Sequence, residues 1–369
     1  MSLTLTIVSL VIVSIYSILI IVFAIAFIMR KTVKEVNGNS EKFVSIIVAF
    51  RNEESNLASL IEGVFNQNFK GDFEIILVND HSEDNFYNEI SKFSDKRIYL
   101  FDLPDSLQGK KSAIRYAVSK AKGEILVFTD ADCKVNESWL RIMISEMESG
   151  DYQMICGPVE FLKSQSVFSS LFQLEFLSLT GSGAAGFFIN KAFMCNGANY
   201  AVYRESMIEA LEHVNDKYSS GDDVFLLHYL SMKQKVGFVK YLEANVKTKA
   251  PQSLSDFISQ RVRWASKTSG YRNSFAIFVA VITFLASLTV LVSSAVSIFN
   301  AHFLKIFAII IITKFIAELV FMIPVCNFYK KQNLIFGLVP LSVFHPVYIV
   351  LTAFLSLFFK PKWKGRKIS

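Results

Sequence analysis

The sequence predicts an α/β fold, in which a mostly parallel sheet with helices on both faces is flanked by transmembrane helices. Three observations support this prediction. The middle of the chain alternates short apolar runs with amphipathic segments of helix length, as βαβ units do. Apolar runs long enough to cross a bilayer lie before and after this part. Acidic residues follow predicted strands, at the edge where open α/β sheets bind ligands.

The composition is typical of a membrane protein rather than of an ordinary soluble enzyme. Of the 369 residues, 52% are hydrophobic, and the mean hydropathy is +0.39. The run Leu3–Met29 predicts an N-terminal transmembrane anchor within residues 1–30, because it exceeds a signal-peptide core and no evident cleavage site follows it. Residues 274–359 are predicted to form a C-terminal transmembrane region of about three segments, Ala276–Phe299, Phe303–Val325 and Leu334–Phe359.

Basic clusters next to the apolar runs predict their orientation. These residues are Arg30, Lys31, Lys34, Lys360, Lys362, Lys364, Arg366 and Lys367. Because basic residues favour the cytoplasmic side of a span, we expect the segment 41–271 to be a cytoplasmic domain of the plasma or inner membrane. Three full spans after it would leave the basic tail, 360–369, outside. Pro340 and Pro346 therefore predict a broken or re-entrant last segment that returns the tail to the cytoplasm.

Charge and cysteine content argue against two other classes of protein. The formal net charge of +6 comes mainly from the clusters beside the spans, which contact anionic lipid more often than nucleic acid. We therefore expect no nucleic-acid partner. The four cysteines show neither metal-type pairing nor a disulfide framework, as expected for a reducing cytoplasm.

Strands and helices alternate along the first part of the 41–271 segment. The predicted strands are Phe43–Phe50, Phe73–Val78, Ile98–Phe101 and Glu124–Phe128, and the predicted helices are Glu54–Asn66, Asn85–Phe93 and Lys110–Lys122. Gly123 is expected to end the last of these helices. The sequence contains no glycine-rich phosphate loop. Phosphate binding must therefore rest on a metal and on basic side chains.

Two acidic residues follow the predicted strand that ends at Phe128. Asp130 and Asp132 are one residue apart at the carboxyl end of this strand, where ligands of open sheets bind. Their carboxylates are suited to a divalent metal, which would neutralise a diphosphate. Alternatively, they form a solvated acidic turn.

Further polar residues follow the other predicted strands. Arg51, Asn52 and Glu53 come directly after the first strand. Asp80 ends the second strand and is a candidate to bind a nucleoside, or else a helix N-cap or turn residue. Gly109 and Lys110 begin a helix and place an amine and free backbone amides near any phosphate. Alternatively, Lys110 and Lys111 lie on a solvated helix face.

Two groups lie further downstream. The carboxylates of Asp222 and Asp223 precede an amphipathic segment and predict a general base or, alternatively, an N-cap with a favourable helix dipole. Gln260, Arg263 and Trp264 lie just before the membrane region. The arginine is suited to hold a leaving phosphate and the tryptophan to stack on an acceptor ring. Both also fit a membrane-interface belt.

The segment 167–188 is apolar but is interrupted by Glu175, Ser178 and the stretch Gly181–Gly183. These interruptions argue against a full span and predict an interfacial or acceptor-lining segment. A buried core helix and loop is the alternative.

Taken together, these motifs resemble the membrane-bound inverting glycosyltransferases of family 2. The resemblance is carried by Asp80, Asp130-x-Asp132, Asp223 and Gln260-x-x-Arg263-Trp264, and it extends to Val48–Glu54, Gly109–Ala113 and Asn196–Asn199. It covers roughly Phe43 to Trp264. One span before the domain and several after it are similar to the layout of cellulose-synthase-like, hyaluronan-synthase-like and ceramide-glucosyltransferase-like members. The resemblance implies a GT-A fold for residues 41–271, with a Rossmann-like, mostly parallel sheet.

The resemblance also implies a role for each matching residue. The donor nucleotide would contact Phe50, Asn52, Glu53, Asp80, Gly109, Lys110 and Asp130. A Mg²⁺ or Mn²⁺ cofactor would bind Asp130 and Asp132. The catalytic residues would be Asp223 as the base, its neighbour Asp222, and Arg263 facing the leaving group. The acceptor and leaving-group residues would be Gly197, Asn199, Gln260, Arg263 and Trp264. One departure from the family pattern is Asp222, where the family commonly has Glu.

These inferences predict a hexosyltransferase that moves a sugar from a nucleotide-diphospho-sugar to a lipid-linked or glycan acceptor at the cytoplasmic face. A processive polysaccharide synthase is one alternative, and a catalytically dead membrane protein that binds nucleotides is another. A nucleotidyltransferase is suggested by Gly221-Asp222-Asp223. It is disfavoured because the soluble segment lacks the basic groove that a template needs.

Overall fold

The computed structural model describes residues 3–31, 40–163, 168–213, 222–358, 362–363 and 366–367. Lys34, Val167, Gly221, Lys360 and Lys364, which entered the sequence predictions, lie outside these residues. The described chain forms two compact units. The helical unit consists of Met1–Arg30, Ser164–Ile189 and Pro251–Pro361, and the sheet unit consists of Lys31–Lys163, Asn190–Ala250 and Lys362–Ser369.

The described elements alternate as the sequence predicts. In chain order the helices are α1 (Leu3–Met29), α2 (Glu54–Phe65), α3 (Phe86–Ile90), α4 (Lys110–Lys120), α5 (Trp139–Ser149), α6 (Ser169–Phe188), α7 (Arg204–His213), α8 (Asp222–Lys233), α9 (Leu254–Ala265), α10 (Ser274–Ser297), α11 (Ala301–Phe328) and α12 (Leu338–Phe358). The strands are β1 (Val44–Phe50), β2 (Phe73–Asn79), β3 (Ile98–Asp102), β4 (Ile125–Phe128), β5 (Met154–Cys156), β6 (Val159–Phe161), β7 (Tyr200–Tyr203), β8 (Val236–Phe238), β9 (Val246–Thr248), β10 (Lys362–Trp363) and β11 (Arg366–Lys367).

The core of the sheet unit is a seven-stranded sheet in the order β3-β2-β1-β4-β7-β5-β8. The first four strands in this order are parallel, with registers such as Val44 opposite Phe73 and Ile125. Strand β7 runs antiparallel to both β4 and β5. Every residue of β1, β2 and β4 is buried, because helices cover both faces of the sheet. The predicted α/β class is confirmed, and the carboxyl ends of β1, β2 and β4 lie at one edge.

The role predicted for Gly123 is wrong. Helix α4 ends at Lys120, and Ala121 is already extended, with φ −66° and ψ 136°. Gly123 lies against β1, where an added Cβ would clash with the backbone of Ser45, and its N–H donates to Ser45 Oγ at 2.8 Å. A glycine is therefore required here for the close approach of two backbones, and not to end the helix.

The helical unit contains helices of membrane-spanning length. Four described helices are long and apolar enough to cross a membrane: Thr4–Met29, Ser274–Ser297, Phe303–Phe328 and Gln332–Phe358. The predicted break at Pro340 and Pro346 is absent, since α12 is continuous across both residues. Pro340 falls in the first turn, where a proline removes no intrahelical hydrogen bond. Helix α6 is likewise continuous through its glycines.

Candidate functional site

Arg51 joins the loops that follow β1 and β2. Its guanidinium donates to the backbone oxygens of Asp80, at 2.9 Å, and of His81, and it pairs with Glu83 at 2.7 Å. The next residue, Asn52, has a φ of 52°, and its Oδ1 accepts the Glu83 N–H at 2.8 Å. The predicted donor residue Asn52 is therefore fixed by the loop after β2. Sequence reasoning gave Arg51 no role, although a buried arginine needs such partners.

The neighbouring predicted residues Phe50 and Glu53 are buried. The Phe50 ring packs edge-on against Phe86, with 5.0 Å between the ring centroids. The Glu53 carboxylate accepts a hydrogen bond from the Asn56 side chain. Both residues shape the loop after β1, and their contacts with a donor stay predictions.

Asp80 holds the first residues of α4. Its carboxylate has no exposed surface, and its Oδ2 accepts the Gly109 N–H at 3.2 Å, while Oδ1 lies 3.1 Å from His81 Nδ1. Gly109 has a φ of 88° and a ψ of 159°, a conformation that is almost exclusive to glycine. Two residues that the sequence placed at the same edge are thus in direct contact.

The two lysines that begin α4 each reach a predicted acidic residue. Lys110 Nζ forms an ion pair with Asp130 Oδ1. Lys111 Nζ lies 4.0 Å from Asp222 Oδ1, and these two side chains are only 11% and 14% exposed. The alternative of a solvated helix face is therefore wrong for Lys111, whereas the Lys110 side chain is 32% exposed. Helix α4 places positive charge between the predicted metal site and the predicted catalytic pair.

Asp130 and Asp132 present oxygen atoms of the kind that Mg²⁺ and Mn²⁺ prefer. Both Asp132 oxygens lie 3.4 Å from Thr248 Oγ1. Burial and the two nearby carboxylates raise the pKa of the adjacent Cys133 thiol well above its ordinary value. Within the described ranges, no group of three His, Cys, Asp or Glu side chains could hold a metal. The residues nevertheless fit Mg²⁺, which is often held by one or two carboxylates together with substrate phosphates.

Asp223 lies beside the loop that carries Gly197. A Cβ added to Gly197 would be 3.1 Å from Asp223 Oδ2, so a side chain there would crowd this carboxylate. Burial, followed by the charges of Asp223 and Asp222, raises the pKa of the Tyr200 hydroxyl well above its ordinary value. Tyr200 therefore stays protonated. The structure brings together Asp222, Asp223 and Gly197, three residues of the predicted site.

Asn199 has the contacts of a structural residue. Its side chain is fully buried, its Oδ1 accepts the Trp139 Nε1–H at 2.9 Å, and its Nδ2 donates to the backbone oxygens of Pro158 and Ala244 at 2.8 and 2.9 Å. These contacts join the loop before β7 to α5 and to two other loops. A direct role toward an acceptor stays a prediction for this residue.

The third motif lies on α9, in the helical unit. Gln260 Oε1 accepts a 2.6 Å hydrogen bond from Arg261 Nη1, and the Trp264 ring lies 6.2 Å from that of Phe176. Arg263 is partly exposed. Sequence reasoning missed Arg261, which is buried although it lies inside the motif. An arginine flanked by aromatic residues at helical spacing was the available signal.

Comparison with known proteins shows what the sheet unit is similar to. Residues 45–211 match the family model described as Glycosyl transferase family 2. The chain is 30% identical over 121 residues to Glycosyltransferase AglE of Haloferax volcanii. The aligned residues are 32% of this chain and 40% of that protein. It is 27% identical over 143 residues to Cholesterol galactosyltransferase of Borreliella burgdorferi, covering 38% of this chain and 40% of that protein. The matched regions thus span less than half of these relatives.

A solved structure supports the fold over almost the whole chain. The structure of Mannosyltransferase PcManGT from Pyrobaculum calidifontis, in complex with GDP-Man and Mn²⁺, superposes on this chain with a TM-score of 0.56 and 15% sequence identity. The superposition covers 93% of this chain and 99% of that one. At this identity the likeness concerns the fold alone, and it confirms the GT-A type that the sequence motifs implied.

Proposed function

Because residues 45–211 match the model of the family 2 glycosyltransferases, we propose that the chain is a glycosyltransferase. In this proposal it transfers a sugar from a nucleotide-diphospho-sugar, with inversion, to a lipid-linked or glycan acceptor at the cytoplasmic face. The observation that carries this proposal is the charge arrangement at the start of α4. There, Lys110 contacts Asp130 and Lys111 approaches Asp222. Positive and negative groups of this kind at the carboxyl edge of a sheet suit a diphosphate, a metal and a reacting hydroxyl.

Asp130 and Asp132 are the proposed ligands of Mg²⁺ or Mn²⁺. When bound, the metal would supply charge neutralisation for the donor diphosphate. Lys110 would exchange its contact with Asp130 for the negative charge of the diphosphate. Support for a metal also comes from the fold, since the structurally similar PcManGT is in complex with Mn²⁺ and GDP-Man.

The proposed reaction is a single in-line displacement. Asp223 accepts the proton of the acceptor hydroxyl. At the same time the oxygen of that hydroxyl forms a bond to the anomeric carbon of the sugar. The bond between that carbon and the diphosphate oxygen breaks, and the nucleoside diphosphate leaves with the electron pair. Lys110 stabilises the leaving group. Attack from the face opposite the leaving group inverts the anomeric configuration.

The helical unit supports a lipid-linked acceptor. Four of its helices are long and apolar enough to cross a membrane, so an acceptor held in a bilayer would be close to the protein. Two relatives have lipid names: Cholesterol galactosyltransferase of Borreliella burgdorferi and Beta-monoglucosyldiacylglycerol synthase of a Nostoc strain, 33% identical over 111 residues. A glycan acceptor remains the second candidate, because the Azorhizobium caulinodans relative, 23% identical over 241 residues, is named N-acetylglucosaminyltransferase, a name that gives a sugar and no lipid.

The test uses the full chain in lipid nanodiscs, supplied with a panel of UDP- and GDP-sugars and with membrane lipids. Mass spectrometry of the lipids and glycans should reveal one glycosylated product that requires Mg²⁺ or Mn²⁺ and is lost with EDTA. Metal-dependent nucleotide binding without any product would favour the nucleotide-binding protein instead. Absence of both binding and product would overturn the proposed function.

A further inference from the structure

A buried ion pair anchors the motif helix α9 within the helical unit. Arg261 Nε donates to Glu175 Oε1 at 2.9 Å, and Arg261 Nη2 donates to the second Glu175 oxygen. The Tyr348 hydroxyl donates to Glu175 Oε1 at 2.7 Å. Arg261 is 5% exposed, Glu175 1% and Tyr348 2%. The three side chains therefore connect α9, α6 and α12 through one carboxylate that is shielded from water.

The same guanidinium contacts two residues of the motif. Arg261 Nη1 donates to Gln260 Oε1 at 2.6 Å. The guanidinium carbon lies 4.3 Å from the centre of the Trp264 ring and 4.5 Å from that of the Phe257 ring. Residues four before and three after Arg261 share its helix face, so both rings pack on the planar cation. The orientation of Gln260 and Trp264 thus depends on where Glu175 holds Arg261.

The helical unit contains a second buried ion pair, which differs in position from the Glu175–Arg261 pair. Lys314 pairs with Glu318 within α11, and the Tyr16 hydroxyl donates to Glu318 Oε1 at 2.8 Å. The chemistry is the same: a buried cation, a carboxylate and a tyrosine hydroxyl. The Glu318 pair connects α11 to α1, whereas the Glu175 pair holds a residue inside the Gln260–Trp264 motif.

We propose that Glu175, Arg261 and Tyr348 are positioning residues for sugar transfer. They fix α9 so that Gln260 and Trp264 keep the orientation that the reaction needs. This inference rests on the proposed function and deepens it, since it assigns a catalytic consequence to a buried pair that does not touch the substrate. Bidentate pairing with a carboxylate sets the angle of a guanidinium as well as its position, which suits a positioning role.

The test compares Tyr348→Phe with its matched control, Tyr16→Phe. Each variant removes one hydroxyl that donates to a buried glutamate and keeps the ring. Tyr348→Phe should lower kcat by about tenfold, equivalent to about 1.4 kcal/mol, with no change in nucleotide Kd or in the KM for the donor. Hydrogen exchange in nanodiscs should become faster in residues 254–265. Tyr16→Phe should leave kcat and this exchange as in the wild type, even if it lowers the apparent Tm equally.

Each outcome decides one question. Unchanged exchange in residues 254–265 of Tyr348→Phe overturns the inference, whether or not transfer is detected. Faster exchange with an unchanged kcat also overturns it, because α9 would then be anchored without consequence for the reaction. An equal loss of kcat in both variants would assign the effect to general destabilisation and likewise contradict the proposal. Absence of transfer by the wild-type chain, in contrast, indicates failure of the proposed function itself.

Discussion

Lys110 and Lys111 illustrate how adjacent residues can connect separate motifs. They are neighbours at the start of α4, yet Lys110 pairs with Asp130 after β4 and Lys111 approaches Asp222 at the start of α8. Opposite charges at these separations attract each other. The two lysines therefore hold two separate acidic motifs next to the start of α4. The neighbouring Asp223 carboxylate lies against Gly197.

The first prediction concerns Asp223 as the base. Asp223→Asn keeps the size of the side chain but cannot accept the hydroxyl proton, so kcat should fall by at least about a hundredfold. Nucleotide binding should survive, because the predicted donor residues are unchanged. Transfer rates and nucleotide Kd, measured on the same preparation, separate these effects.

Asp151→Asn is the matched control for this variant. Asp151 is exposed and has a φ of 51°, a conformation that asparagine tolerates well. The Asp151→Asn variant should transfer sugar at the wild-type rate. Transfer by Asp223→Asn at nearly the wild-type rate would contradict the assignment of Asp223 as the base.

The second prediction concerns the backbone of Gly109. Its φ of 88° and ψ of 159° are strained for any residue with a Cβ, at a cost of about 1–3 kcal/mol. No atom lies within 4 Å of an added Cβ, so the cost of Gly109→Ala is purely conformational. We expect a lower free energy of unfolding and weaker nucleotide binding, because the Gly109 N–H holds Asp80 and the next residue is Lys110.

Differential scanning fluorimetry and nucleotide titration measure these two effects. Gly63→Ala is the control, since Gly63 lies within α2 and its Cβ would meet Val135 Cγ2 at 3.2 Å. Nucleotide affinity should be unchanged in this variant. Wild-type affinity in Gly109→Ala would show that the backbone at α4 does not contribute to donor binding.

At the scale of elements, the apolar pattern of the sequence predicted strands β1, β2 and β4 well and the strands beyond β4 in the sheet poorly. Strands β1, β2 and β4 are mostly apolar, with Ser45 in β1 and Glu74 and Asn79 in β2 as the polar residues. Their predicted and observed limits agree within a residue. Strands β5 and β8 have only three residues each, too few for a periodic pattern to be recognised. Their place in the sheet is decided by pairing with β7 and with each other, which a local pattern cannot indicate.

The candidate site shows the same limit. Strand ends placed Asp80, Asp130 and Lys110 at one edge, because parallel strands finish there. Pattern alone could not show that Asp80 would be fully buried against Gly109, or that Arg261 would find its partner on α6. Which side chains meet depends on the packing of distant elements. A sequence motif predicts an edge or a face, and the fold selects the contacts.

The third prediction concerns helix α8, which carries the acidic pair at its first turn. Burial lowers the pKa of His228 on this helix, and its Nε2 lies 2.8 Å from the Phe193 carbonyl oxygen. The folded state therefore favours the neutral imidazole, whereas the unfolded chain takes up a proton below about pH 6.5. The stability due to His228 is present above this pH and is lost as the pH falls below it.

Melting temperatures at about pH 7.5 and about pH 5.5 test this sign. The decrease on acidification should be smaller in His228→Gln than in the wild type, because the variant has no imidazole to protonate. His213→Gln is the control, since His213 is exposed on α7, and it should show the wild-type decrease. An identical decrease in all three proteins would contradict the assignment.

At the scale of the whole molecule, the helical unit exposes apolar side chains on its long helices. Ile18 is 62% exposed, Ile28 60% and Val343 68%. Exposed apolar surface on helices of this length is typical of lipid contact. The basic clusters beside the spans then determine which side the sheet unit occupies.

The last prediction concerns the side on which the chain ends. The short strands β10 and β11 belong to the sheet unit, and the tail around them is basic, which favours the cytoplasm. Because α12 is continuous, a cytoplasmic tail requires that α12 does not cross the membrane completely. A cysteine in Ser369→Cys should therefore react with a membrane-impermeant maleimide only after the cells are permeabilised. Asn300→Cys, between α10 and α11, should react in intact cells if α10 crosses the membrane outward.

The wild-type chain measures the background labelling, because Cys133, Cys156 and Cys326 are buried and Cys195 is partly exposed. Reaction of Ser369→Cys in intact cells would show that α12 crosses completely and that the tail lies outside.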